Sequence, residues 1–188
     1  TGNGSDQLSL DDSGDGIAST IQLSATGETG GSPAAISYSG MGAVNVLGSG
    51  QTTLNLDDTS SGNDQSPSLT AGAVTGLFPA TVGYGNLLSL NVQLGSGRQT
   101  LALHSSSAGT TTTITSGSGD DTFNLSGTGT ASLSGGLAGP VHLDGGAGTN
   151  NLVVDDSTDT SGQPVTTTPS SIDGLGWSIY YSNLANLS

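Results

Sequence analysis

The chain has 188 residues, with 32 Gly, 30 Ser and 25 Thr, no Cys, no Lys, a single Arg (Arg98), 14 Asp and one Glu (Glu28). A net charge of −14 with one basic side chain leaves nothing to neutralise phosphates, which excludes binding to nucleic acid or to anionic membrane surfaces. No apolar run approaches the ~20 residues that a bilayer-spanning helix needs, so no membrane insertion is expected, and the lack of Cys removes disulfides and thiolate metal sites.

Leu, Ile, Val and Phe supply only 39 of the 188 residues, at the border of compositions that stay disordered. Their arrangement argues for a fold. In chain order, five segments share the pattern x-G-x-G-x-x-x-apolar: TGNGSDQL from Thr1, LGSGQTTL from Leu47, LGSGRQTL from Leu94, SGSGDDTF from Ser116 and GGAGTNNL from Gly145. Each runs into an alternating apolar pair: Leu8/Leu10, Leu54/Leu56, Leu101/Leu103, Phe123/Leu125 and Leu152/Val154. Alternation is the signature of a strand with one buried face, and paired glycines permit the backbone of a tight turn. Each unit therefore reads as turn, then strand.

The spacings of 46, 47, 22 and 29 residues divide the chain into units 1–46, 47–93, 94–115, 116–144 and 145–188. The three long units share an acidic pair after the strand (Asp11/Asp12, Asp57/Asp58, Asp155/Asp156) and a later aromatic strand carrying Tyr38, Tyr84 or Tyr180/Tyr181. Two coils per long unit and one per short unit predict an all-β parallel β-helix, or β-solenoid, of about eight coils of roughly 22 residues. At ~4.8 Å per coil the rod would be about 38 Å long. The competing architecture is a β-sandwich with Gly-rich hairpins, which does not normally place one turn before one strand again and again. Both ends lie inside the pattern, which predicts uncapped ends and a single segment of a longer array that stacks on itself head to tail.

The turns SGSGDDTFN from Ser116 and TGNGSDQLS from Thr1 resemble the nonapeptide of RTX-type calcium-binding β-rolls, and the wider chain resembles repeats of very large bacterial surface proteins. The motif's Asp position is filled by Asp6 and Asp121, but by Thr52, Gln99 and Asn150 in the other units. The resemblance implies calcium-dependent folding.

Two readings of the carboxylates stand side by side. Calcium held between coils would use Asp6, Asp11, Asp12, Asp57, Asp58, Asp120, Asp121, Asp155 and Asp156, with Asp144 as a further turn carboxylate, since a hard cation relieves repulsion between neighbouring carboxylates. Alternatively, the same residues cap turns through side-chain-to-backbone hydrogen bonds. The acidic pairs all follow the apolar pair, so they are expected to recur on one edge.

No enzyme is expected. Arg98 stands alone at a turn position that varies between units, His104 and His142 have no consistent carboxylate or Ser neighbour, and the glycine pairs precede strands rather than phosphate-binding helices. Thr111/Thr113 and Thr166/Thr168 fall short of the regular Thr-x-Thr ladder of an ice-binding face. Tyr38, Tyr84 and Tyr181 are expected to stack along one face, while Trp177 and Tyr181 offer plates for sugars. The chain reads as a structural segment of an extracellular fibre, sheath or adhesin stalk, with surface glycans as the alternative partner.

Overall fold

The computed structural model describes residues 2–14, 16–30 and 35–188. Among them the chain is all-β apart from one helical turn. The strands are β1 (Gln7–Asp11), β2 (Ser19–Ser24), β3 (Gly27–Thr29), β4 (Ile36–Ser37), β5 (Ala43–Asp57), β6 (Ser68–Thr70), β7 (Ala73–Thr75), β8 (Thr81–Gln93), β9 (Thr100–Leu103), β10 (Thr111–Thr115) and β11 (Thr122–Ser126). After α1 (Leu133–Gly136) come β12 (Val141–Asp144), β13 (Asn151–Asp155), β14 (Thr166–Thr167), β15 (Ser171–Asp173), β16 (Ile179–Ser182) and β17 (Asn186–Leu187). All are joined into one open sheet that curls into a half-barrel.

Three parallel ladders organise the sheet. The first joins β1 to the start of β5 and the start of β8, with Leu8 beside Val44 and Val44 beside Val82. The second joins β2, the end of β5, the end of β8, β10, β12 and β16. The third joins β6, β9, β11, β13 and β17.

Alternation along each strand sends one apolar column inward. In the second ladder Leu23, Leu56, Val92, Ile114, Leu143 and Tyr181 are successive neighbours. In the third, Leu101, Phe123 and Leu152 stack the same way, each essentially buried. Because each strand adds only two or three inward side chains to a continuous column, a chain poor in apolar residues still builds a core.

The second ladder counts six parallel segments among the described residues, against about eight coils expected from the period. The surplus residues of the long units go elsewhere. They form antiparallel hairpins: β2–β3–β4, β6–β7–β8 and β14–β15–β16. Each hairpin is tied by a tyrosine whose hydroxyl donates to its opening carbonyl: Tyr38 to Ser24 (2.6 Å), Tyr84 to Thr70, and Tyr181 to Thr168 (2.5 Å).

The expected tyrosine stack is therefore corrected. Tyr84 is in register with Val46 of the first ladder and Tyr181 with Leu143 of the second, so the three rings serve three separate hairpins.

The glycine turns also occupy more than one corner. The turns at residues 94–99, 116–121 and 145–150 stack directly between the second and third ladders, spaced by 22 and 29 residues. A Cβ on Gly117 would collide with the Gly95 carbonyl, and one on Gly146 (φ +66°) with the Gly117 carbonyl, so these layers require glycine. The turn at Gly48–Gly50 lies instead between the first and second ladders, beside Asn86.

Candidate functional site

The stacked corner between the second and third ladders is lined by one polar side chain per layer. Gln99, Asp121 and Asn150 all occupy the sixth position of a glycine turn, and each is almost completely buried. The backbone N–H of Gln99 donates to Asp121 Oδ1 (2.7 Å), and that of Asp121 donates to Asn150 Oδ1 (2.9 Å). Asn150 Nδ2 then donates to the carbonyls of Gly145 (2.6 Å) and Asn183 (3.2 Å). The Ser116 hydroxyl donates to Asp121 Oδ2. Each layer thus caps the one before it, and the variable "Asp position" is a buried hydrogen-bonding site that Gln, Asp or Asn can fill.

The remaining predicted carboxylates are dispersed, and most close their own turns. Asp6 accepts from the Asn3 N–H (2.8 Å). Asp11 accepts from the Ser13 hydroxyl (2.6 Å) and N–H (3.0 Å), Asp57 from the Thr59 hydroxyl (2.7 Å) and N–H (3.0 Å), and Asp155 from the Ser157 N–H (2.9 Å). These hydrogen bonds, the side-chain one foremost, hold all three carboxyls below the usual Asp value. Asp120 accepts from the Thr149 N–H (2.7 Å) and Asp156 from the Ser134 N–H (3.2 Å), each bridging neighbouring layers. Asp12 accepts from Thr52 Oγ1 (2.6 Å) and from the Ser19 hydroxyl. Asp144 accepts from Gly146 N–H (3.0 Å) and Asn183 Nδ2 (2.7 Å), the backbone bond foremost in lowering its pKa.

The acidic pairs do not share one edge. Asp11 is in register with Leu47 in the first ladder, Asp57 with Gln93 in the second and Asp155 with Ser126 in the third. The same local sequence recurs on different sides because the hairpins shift the phase. Among the described residues no three His, Asp or Glu side chains gather in one place. Calcium at these carboxylates would have to displace the capping hydrogen bonds.

Searches against protein-family models, curated proteins and solved structures return no match.

Two surface features complete the picture. Outward from the second ladder runs the column Gln22, Asn55, Asn91, Thr113, His142 and Tyr180, with a groove of about 300 Å³ over its first four members. Asn91 Nδ2 donates to Asn55 Oδ1 (2.8 Å), and the His142 and Tyr180 rings stack with centroids 4.8 Å apart. At the last layer an apolar hollow of about 240 Å³ opens between Val154, Val165, Ile172, Leu175 and Leu187. No helix among the described residues is long and apolar enough to cross a membrane.

One member of the predicted set stands apart. Asp58 is only 5% exposed, and desolvation foremost raises its carboxyl above the ordinary Asp value. The sequence places Gln99 at the motif's Asp position without giving it a ligand role, and it gives no signal for Gln65, its partner in the next layer.

Proposed function

We propose that this chain is a structural segment of an extracellular fibre, sheath or adhesin stalk, wound as a parallel β-helix and associating end to end with copies of itself. The observation that carries the reading is the pair of unfilled layers. Among the described residues β1 pairs only with β5, and β17 only with β13, so each outer layer keeps an open row of backbone donors and acceptors. Large apolar side chains are also left uncovered beside the last layer, with Leu187 42% and Val165 50% exposed. On the first layer Leu8 and Leu10 are likewise only half-buried. A composition without Cys or Lys and with a charge of −14 suits an exposed, soluble rod. The reading assigns no catalytic step.

Concentration-dependent light scattering on the purified chain tests it. Mass should rise with concentration for the native chain and stay at one chain for Leu187→Lys. A native chain that remains a single copy at all concentrations overturns the proposal.

A second reading, a glycan-binding module, is favoured by the outward amide and hydroxyl column that ends in the His142–Tyr180 stack. Sugars pair with such amides and stack on such rings. Saturable glycan binding lost in Tyr180→Ala would support it.

A further inference from the structure

Among the described residues, three buried side-chain oxygens lack any hydrogen-bond partner: Asp58 Oδ2, Gln65 Oε1 and Gln99 Oε1. They belong to one corner. Asp58 opens the loop that joins β5 to β6, and Gln65, further along it, is bridged in parallel register to Gln99 in the next layer. The bridge is tight on both sides, with Gln65 N–H donating to the Arg98 carbonyl (3.1 Å) and Thr100 N–H donating to the Gln65 carbonyl (2.9 Å).

The amide orientations follow from their donors. Gln99 Nε2 donates to the carbonyls of Gly97 (3.0 Å) and Asn63 (3.1 Å), and Gln65 Nε2 to the Leu77 carbonyl (3.3 Å). Turning either amide over would set oxygen against carbonyl oxygen. The corner therefore holds three unpartnered buried oxygens, one of them on the Asp58 carboxylate, towards which the Gln65 amide and the Ser61 hydroxyl also turn.

An unpaired buried acceptor destabilises the fold, and more so when charged. Protonating Asp58 supplies a single donor, and a water supplies two, so neither matches three oxygens. A cation matches all three and also offsets the charge. Oxygen-only donors of this kind select a hard ion.

We propose that Asp58, Gln65 and Gln99 form a buried binding site for a hard divalent cation of the Ca²⁺ class, liganded through Asp58 Oδ2, Gln65 Oε1 and Gln99 Oε1. The site uses other oxygens than the carboxylates of Asp6, Asp120 and Asp121, which already accept hydrogen bonds, that of Asp121 from the Gln99 N–H itself. It does not depend on the fibre reading. The cation would clamp the β5–β6 loop onto the next layer.

Calcium titration calorimetry and thermal unfolding on chelator-stripped protein test the site. The native chain should bind one Ca²⁺ and unfold at a higher temperature when it is added. Asp58→Asn should bind at least tenfold more weakly and lose the shift, while Asp120→Asn should keep both. Should Asp58→Asn fail to fold, Gln99→Leu serves as the second variant, with the same loss expected. No binding by the native chain, or undiminished binding by Asp58→Asn or Gln99→Leu, overturns the proposal.

Discussion

The Asp121 carboxylate accepts the backbone N–H of Gln99, 22 residues earlier, at 2.7 Å. Two layers of the sheet are thus joined at their corner by a buried bond from a side chain to a main-chain donor. Asp121→Ala would leave that N–H and the Ser116 hydroxyl without an acceptor, at a cost of about 2–4 kcal/mol. Asp121→Asn keeps one acceptor and should cost clearly less. Urea unfolding of the three chains measures the order.

The hairpin tyrosines offer a second check. Tyr84→Phe removes only the hydroxyl that donates to the Thr70 carbonyl and should lower stability by about 1 kcal/mol. Tyr181→Phe, whose bond to Thr168 is exposed, should lose less. Burial pushes the Tyr38 hydroxyl up to about 12, with Glu28 adding to the effect, so its absorbance should not titrate near pH 10 until the chain unfolds.

Glycine substitutions separate stacked turns from free ones. Gly117→Ala drives a methyl into the Gly95 carbonyl and should cost about 2 kcal/mol or more, since the obstacle is backbone. Gly14→Ala meets nothing within 4 Å and should change stability by less than about 0.5 kcal/mol. Equal losses in the two variants would contradict the stacking.

Stability should respond to acid in two opposite ways. Asp11, Asp57 and Asp155 have carboxyls lowered by their turn hydrogen bonds, so their contribution is present above the unfolded value of 3.8 and is lost as pH falls through the lower folded values. Asp58 is raised by desolvation, so in chelator the fold gains as pH falls through its folded value towards 3.8. Denaturation midpoints should therefore rise slightly on mild acidification and then drop below pH 3.8. Asp58→Asn should abolish the rise and keep the drop.

The turn-then-strand unit was legible in the sequence, because glycine pairs and alternating leucines act over a few residues. All five alternating pairs lie on strands. The corner each unit occupies was not legible. Gly48-Ser49-Gly50 and Gly95-Ser96-Gly97 are the same tripeptide, yet they sit at different corners. Their places depend on how many residues the intervening hairpins absorb, and on parallel pairing between layers, which is non-local. The buried corner was half legible. Its sixth position was visible as a motif slot, but Gln65 lies on a loop without the glycine pattern and gave no signal.

Electron microscopy of the native chain, in calcium and again after chelation, tests the central claim most directly. End-to-end association predicts thin rods that lengthen with protein concentration and carry a repeat of ~4.8 Å along their axis. Compact single particles under both conditions, at every concentration, would contradict it.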